Sequence, residues 1–318
     1  MTAPPTNTAL QDALALHRQG KHELAMQRYV SVLQTDPKNL DALYYVAVLA
    51  IQQGQLEEGL KVIARGLDIG PAQARLHNLR GQTQLRLNKD QDALASFGAA
   101  IECDPGFVDA YGNRGTLLAE MGRPAQALAD FDRALTLRPN NAEDVSNRAG
   151  VLADLGRTDE ALMAYSRAIG LNPNFPPNYF NRAGVLVKMG QLTDALANYD
   201  QVIRLAPNMP QAHNNRGLTL KEMGRLEDAK ASIEQALALK PDYPEAITNR
   251  ANIAFQQGRY DDAQADFKRA LELQPEMAEA NHGRGLASLT QGDWVTGFRL
   301  YEYRGKLKEP TFKPLPYP

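Results

Sequence analysis

The sequence predicts an all-α fold of about nine tandem helix-turn-helix repeats, and two residue series with a common interval of 34 residues predict it. The first series is proline: Pro37, Pro71, Pro105, Pro139, Pro173, Pro207, Pro241 and Pro275. The second is glycine: Gly20, Gly54, Gly122, Gly156, Gly190, Gly224, Gly258 and Gly292, with Asn88 at the one exception. Asn is the usual substitute where φ must be positive. One structural unit is therefore copied along the chain, with a tight turn inside each copy.

Each copy contains two helical patterns, as residues 108–141 illustrate. Tyr111, Gly115 and Leu118 fall at helical spacing and define the apolar stripe of a first helix, helix A. A glycine interrupts the pattern, which resumes on a second helix, helix B, and ends at the Arg138-Pro139 step. Each copy is thus predicted to be a helical hairpin.

Side-chain size predicts how the helices pack. Ala127 and its equivalents on helix B face Gly115 and its equivalents on helix A, so the two axes can approach closely. Larger apolar side chains on helix B are expected to fill the space between adjacent copies: Tyr29, Ile63, Phe97, Phe131, Tyr165, Tyr199, Ile233, Phe267 and Tyr301.

The 34-residue period, the small pair, the aromatic on helix B and the closing proline resemble the tetratricopeptide repeat family over nearly the whole chain. The resemblance implies a right-handed α-α superhelix with helix A on the concave side and helix B outside. The chain departs from the family early in helix A, where an aromatic is common. The copies with Leu43, His77, Val145, His213 or Ile247 there are expected to pack less tightly.

The register divides the chain into a five-residue lead, a solenoid and a tail. Residues 1–5 are the lead, residues 6–311 the solenoid and residues 312–318 a proline-rich tail, interpreted as a linker to a further domain. The predicted repeats are 6–39, 40–73, 74–107, 108–141, 142–175, 176–209, 210–243, 244–277 and a divergent 278–311.

Composition argues against several classes of function. The 35 basic and 37 acidic side chains give a formal charge of −2, which provides no electrostatic footprint for nucleic acid. The start MTAPPTNTAL lacks the basic and apolar regions of a secretory signal, and no apolar run approaches the length of a membrane span. A cytoplasmic protein with no nucleic-acid or membrane partner is expected.

The sequence predicts no enzyme activity in these 318 residues. The five histidines are scattered among the copies, and no HExxH or CxxC motif supports a metal site. The lone Cys103 cannot form an internal disulfide and is interpreted as a small core residue. No catalytic, cofactor-binding or metal site is therefore predicted, and no cofactor.

Five successive helix A segments carry an asparagine nearly opposite the packed stripe: Asn113, Asn147, Asn181, Asn215 and Asn249. Asn is a poor helix former, so the series needs a reason. One reason is family inheritance or hydrogen bonding to a neighbouring helix. The other is a row of amides that binds the backbone of an extended peptide. The asparagines of the tetratricopeptide domain of O-linked N-acetylglucosamine transferase look similar in position and spacing.

An arginine follows immediately in each of these copies and in two more: Arg80, Arg114, Arg148, Arg182, Arg216, Arg250 and Arg284. One residue further is about 100° around the helix, at the flank of the packed stripe. There the aliphatic stem can cover the core while the guanidinium reaches a carboxylate on helix B, such as Asp130 or Asp266. A structural role is predicted in preference to anion binding.

The carboxyl end is apolar where a solenoid usually has a polar cap. Either the aromatic cluster folds over its own end, or the chain continues into something larger. The stretch GDWVTGFRLYEYR resembles the junction in bacterial proteins where such repeats precede a glycosyltransferase domain. That resemblance implies repeats that recruit the polypeptide to be glycosylated, flagellin being one kind of acceptor.

Three hypotheses follow. The first is a binding module that holds a protein or extended peptide in its groove, as the acceptor-recruiting region of a glycosyltransferase. The second is a free-standing scaffold or assembly adaptor with no attached enzyme. The third is an enzyme in its own right, which the search for reactive groups disfavours.

Overall fold

The structure, a computed structural model, describes residues 6–307, and all regular secondary structure in that range is helical. The predicted lead and tail lie outside the described residues. A short 3₁₀ helix, Glu302–Lys306, follows the last α-helix. No helix in residues 6–307 has the length and apolarity needed to cross a bilayer. The α-helices are α1 Thr6–Arg18, α2 His22–Thr35, α3 Leu40–Gln52, α4 Leu56–Ile69, α5 Ala74–Arg86, α6 Asp90–Cys103, α7 Val108–Glu120, α8 Pro124–Leu137, α9 Ala142–Asp154, α10 Thr158–Leu171, α11 Pro176–Lys188, α12 Leu192–Leu205, α13 Pro210–Glu222, α14 Leu226–Leu239, α15 Pro244–Gln256, α16 Tyr260–Leu273, α17 Ala278–Thr290 and α18 Trp294–Tyr301.

The turn inside each pair has the predicted left-handed residue. The eight glycines of the series have φ between 69° and 85°, and Asn88 has φ 56°. At Gly122 the backbone amide donates to the carbonyl of Ala119, and the next amide, of Arg123, donates to Leu118. These bonds satisfy carbonyls at the end of α7, so the positive φ lets the chain reverse directly into α8.

The helices form two compact units that divide within α10, between Ala164 and Tyr165. In the first unit each odd-numbered helix from α1 to α7 packs on the even-numbered helix that follows, and α3, α5, α7 and α9 also contact one another in sequence. In the second unit the pairs from α11 to α18 pack in the same way, and α13, α15 and α17 contact one another in sequence. The all-α repeat fold is confirmed.

The packing series behaves as predicted in the interior of each unit. A Cβ added at Gly81 would come within 2.6 Å of the Phe97 ring, and one at Gly217 within 2.5 Å of Ile233 Cγ1. The glycines on helix A therefore make room for the large side chain on helix B. Six members of that series have no exposed surface: Tyr29, Ile63, Phe97, Phe131, Ile233 and Phe267.

In several copies an early helix A residue bonds the carbonyl of the preceding proline. The hydroxyl of Tyr111 donates to the carbonyl of Pro105, 3.3 Å away, and Tyr179 bonds Pro173 in the same way. The ring of His77 lies 2.7 Å from the Pro71 carbonyl, so histidine makes the same type of contact.

His213 repeats this contact, at 3.1 Å from the carbonyl of Pro207. Leu43, Val145 and Ile247 are fully buried at the equivalent position. The looser packing expected for the copies without an aromatic is therefore not observed: histidine replaces the hydrogen bond of tyrosine, and the aliphatic residues fill the core instead.

Candidate functional site

The five predicted asparagines lie on the first helices of successive pairs. Asn113 and Asn147 belong to α7 and α9 in the first unit, and Asn181, Asn215 and Asn249 to α11, α13 and α15 in the second. Asn181 is exposed and the other four are half-buried. We call the surface that carries them the asparagine face of each unit.

Two of these amides are tied to the preceding first helix. Asn113 Nδ2 donates to Oδ1 of the buried Asn78 at 2.9 Å, and Asn249 Nδ2 donates to Oδ1 of the buried Asn214 at 3.0 Å. Both bonds span 35 residues, one repeat plus one residue. The first reason considered above, hydrogen bonding to a neighbouring helix, therefore applies to these two asparagines.

The same bonds orient the amides. With Nδ2 held by the neighbouring helix, Oδ1 of Asn113 and of Asn249 accepts no hydrogen bond from residues 6–307. Asn147 makes a longer contact, 3.5 Å from Nδ2 to Thr116 Oγ1. Each of these side chains thus keeps an acceptor oxygen for another molecule.

The two remaining asparagines differ from this pattern. Oδ1 of Asn215 accepts from Nδ2 of Asn214 at 3.2 Å. Burial raises the pKa of Tyr199, and the side chain of Asn215 opposes that shift. Asn181 makes no side-chain hydrogen bond within the described residues. A Cβ built at Gly184, one turn further along α11, would meet no atom within 4 Å. The surface around Asn181 is therefore open.

The arginine series makes the predicted contacts with helix B. Arg114 donates from Nε and Nη2 to the two carboxylate oxygens of Asp130, both at 2.7 Å, and Arg250 does the same with Asp266. These hydrogen bonds raise the pKa of both arginines. Because the side chain of Asp130 is only 7% exposed, this carboxylate depends on Arg114 for its counter-charge.

The partner of each arginine lies on the second helix either of its own pair or of the preceding pair. Arg148 and Arg216 bond Asp132 and Asp200, which lie 16 residues before them, at 2.6 and 2.7 Å. Two other members use neutral partners: Arg80 bonds Ser96, and Arg182 bonds both Asn198 and Ser166. All six arginines therefore bond a side chain on a second helix, as the sequence predicts.

A buried carboxylate that sequence reasoning missed lies beside the asparagine face of the first unit. Asp144 on α9 is 5% exposed, and its Oδ2 is buried without a hydrogen bond from the described residues. The nearest cation is Arg138, 3.7 Å away. Burial raises the pKa of Asp144, and Arg138 opposes the shift. The available signal was an aspartate at a position occupied by alanine in Ala110 and Ala212.

Cys103 corrects one prediction. It is half-exposed, not in the core, and its Sγ lies 3.7 Å from the carbonyl of Pro71. The equivalent Leu137 and Leu239 are 37% and 40% exposed, because this position in the last turn of helix B lies outside the packed stripe. Within residues 6–307 no group of three metal-ligating side chains is found.

Models of one family match the chain along most of its length. Five models, described as tetratricopeptide repeat or TPR repeat, match residues 16–83, 108–141, 146–175, 183–224, 216–263 and 248–302. No curated protein matches the chain.

Many solved structures are similar, and the three described below are at most 24% identical to this chain. The APC/C hetero-tetramer Cut9–Hcn1 matches with a TM-score of 0.61 and 17% identity, over 88% of this chain and 55% of that chain. PilF of Pseudomonas aeruginosa matches with a TM-score of 0.59 and 20% identity, over 67% and 97%. YrrB matches with a TM-score of 0.51 and 24% identity, over 58% and 95%. From the repeat models and the helix pairs together, we conclude that the chain belongs to the tetratricopeptide repeat family.

Proposed function

We propose that the chain is a protein-interaction module that binds an extended polypeptide along the asparagine faces. Membership of a repeat family supports an interaction role, and a similar structure, YrrB, is described as a TPR protein with an unusual peptide-binding site. The observation that carries the proposal is the set of oriented acceptor oxygens on Asn113, Asn147 and Asn249.

The proposed mechanism is capture of main-chain amides. Asn113 and Asn249 are held by their Nδ2 bonds to Asn78 and Asn214, so their Oδ1 atoms accept N–H groups of the ligand with little loss of side-chain entropy. Each such bond contributes about 0.5–1.5 kcal/mol. Because every residue except proline has an N–H, the contact tolerates many ligand sequences, and affinity comes from several weak contacts.

Around Asn181 the same proposal relies on access. The open space at Gly184 allows a ligand backbone to approach α11 closely, and Asn181 offers both its donor and its acceptor. Selectivity would then depend on the side chains that flank the row.

The finer proposal is that this module recruits the acceptor of a bacterial protein glycosyltransferase in the cytoplasm, flagellin being one such acceptor. Its support is the resemblance of GDWVTGFRLYEYR to the junction with a transferase domain. The alternative is a free-standing scaffold or assembly adaptor. The genomic reading frame beyond Pro318 discriminates between them: a nucleotide-sugar-binding α/β domain supports the transferase, and an immediate stop codon supports the scaffold.

The test is a cross-linked pull-down from the native cell, followed by identification of the polypeptide and titration of its bound segment. Replacing Asn113 and Asn147 together by Ala, and separately Asn181, Asn215 and Asn249, is expected to weaken binding at least about tenfold, since each variant removes two or three hydrogen bonds. Asn140→Ala and Asn208→Ala, exposed residues outside the helices, are the matched controls. Unchanged affinity in both multiple variants, with circular dichroism unaltered, would rule out the asparagine faces as the binding site.

A further inference from the structure

One arginine of the series differs from the other six. Arg284 on α17 makes no ion pair within residues 6–307, and its Nε is buried there without a hydrogen-bond partner. An arginine remains charged at any physiological pH, so a buried Nε–H without an acceptor carries a desolvation cost.

The register explains why the partner is missing. The other six arginines take their acceptor from a residue 16 positions before or after them. For Arg284 these positions hold Lys268 on α16 and Leu300 on α18. Lys268 is exposed and Leu300 is buried, and neither side chain can accept a hydrogen bond.

The surroundings of Arg284 are also more basic than those of its equivalents. Clefts beside Arg114 and Arg250 open between consecutive second helices. Asp130 lines the first, and Glu234, Asp262 and Asp266 line the second. By the 34-residue register, the corresponding space beside Arg284 lies between α16 and α18, and the positions that line it include Lys268 and Arg299.

One carboxylate, Asp293, lies in this register, but it is engaged elsewhere. Its side chain accepts from the backbone amide of Thr296 at 3.1 Å and so caps α18. Its pKa is lowered mainly by Thr296, with smaller contributions from Arg299 and Arg284. The positive charges of Arg299 and Arg284 therefore contribute to the lowered pKa of Asp293, although Asp293 forms no ion pair with Arg284.

We propose that Arg284 binds a carboxylate side chain of a partner polypeptide in the cleft between α16 and α18. A carboxylate ligand is inferred from the equivalent arginines. Four of the six paired arginines bond an aspartate, and Arg114 and Arg250 do so with two parallel hydrogen bonds. Arg284 follows by one residue, about 100° around the helix, the position that carries the asparagines in earlier copies, so the site is separate from the asparagine face.

The exposed surface next to the cleft favours an acidic residue with apolar neighbours. Val295 is 85% exposed and lies four residues before Arg299, so the two side chains share one face of α18. The equivalent residues in the two preceding copies are Glu227 and Asp261. The last copy has therefore exchanged an acidic side chain for an apolar one beside its basic cleft.

The direct test is a nuclear magnetic resonance titration of the full chain, following the side-chain Nε–H signal of Arg284. The probe is the capped tripeptide acetyl-Leu-Asp-Leu-amide, and its matched control contains Asn in place of Asp. The Asp peptide is expected to shift this signal saturably and to bind at least about tenfold more tightly than the Asn peptide, because a charge-assisted bond is replaced by a neutral one. Acetate forms a third arm. Equal binding of the two peptides, or of acetate and the Asp peptide, overturns the proposal.

A second test places the missing carboxylate inside the protein. Lys268→Asp puts an acceptor where Asp132 and Asp200 serve Arg148 and Arg216, and Lys268 is exposed, so the fold is preserved. The variant is expected to lose the response to the Asp peptide, whereas Lys268→Gln keeps it within about threefold. A full response in Lys268→Asp overturns the proposal.

A final control tests whether a carboxylate of the same chain occupies the site beside Arg284. Glu309, which lies outside the described residues, is expected to have no influence, so Glu309→Gln should leave the Arg284 signal unchanged. A shift of that signal in Glu309→Gln without peptide identifies an internal occupant and overturns the proposal.

Discussion

The asparagine and arginine series are one residue apart in the same helices, yet their side chains contact different neighbours. Arg114 turns to the flank of α7 and bonds the nearly buried Asp130 on α8, whereas its neighbour Asn113 bonds Asn78 on the preceding first helix. A rotation of about 100° per residue separates the two directions. One series therefore joins first to second helices, and the other lies on the surface where first helices meet.

The role of a polar residue repeated at 34-residue intervals is therefore not set by its residue type alone. Six of the arginines bond a carboxylate, hydroxyl or amide on a second helix. Arg284 has no such partner within residues 6–307, where Lys268 and Leu300 occupy the two partner positions. Asn113 and Asn249 keep acceptor oxygens because Asn78 and Asn214 already take their Nδ2 donors.

The largest effect should come from removing the carboxylate of the most buried pair. Asp130→Ala leaves the half-buried Arg114 without its counter-charge, and we expect a loss of about 2–3 kcal/mol in the free energy of unfolding. Asp132→Ala is the control: its side chain is 52% exposed, so the loss should be at most about 1 kcal/mol. Urea unfolding followed by circular dichroism measures both, and equal losses would contradict a structural role that depends on burial.

Asp144 differs from Asp130, because it is a buried carboxylate without a close hydrogen-bond partner among the described residues. Its pKa is raised in the folded chain, chiefly by burial, so the folded state binds a proton more readily than the unfolded state. The contribution of this group to stability is therefore present below the ordinary Asp pKa of about 3.9 and declines as pH rises through the raised value.

Asp144→Asn should accordingly stabilise the protein by about 1 kcal/mol at pH 7, with the gain disappearing below about pH 4. Asp109→Asn, which alters an exposed carboxylate bonded to the same Arg138, is the control and should produce no such gain. Thermal unfolding across this pH range measures the effect. A variant that is less stable than the parent at pH 7 would show that Arg138 compensates the burial fully.

The smallest expected difference in stability is between substitutions at two adjacent residues of α11, Asn181 and Arg182. Arg182→Ala removes bonds to Asn198 and Ser166 and should cost about 1 kcal/mol. Asn181→Ala changes an exposed residue to a better helix former, so stability should stay within about 0.5 kcal/mol or rise slightly. Equal melting temperatures for the two variants would reverse the assignment of roles.

Features that depend on local geometry were predicted correctly from the sequence. The positive φ of Asn88 and the pairing of Arg114 with Asp130 both follow from helical periodicity and turn chemistry. Reasoning failed at Cys103, because residue type suggested burial while the end of helix B places the position at the surface. It also missed Asp144, since a single aspartate in an alanine series does not reveal which neighbours surround it.

The repeat, the helix pairs, the turn residues and the two polar series could all be predicted from the sequence, because each depends on contacts within one copy or on a period that copies share. Which partner each side chain takes could not be predicted in this way and is known from the folded structure. Whether Arg148 turns back to Asp132 and Arg114 forward to Asp130, or whether Asn113 spends its donor on Asn78, depends on the distances between neighbouring helices. Those distances are set by side-chain packing across copies, which a linear pattern does not contain.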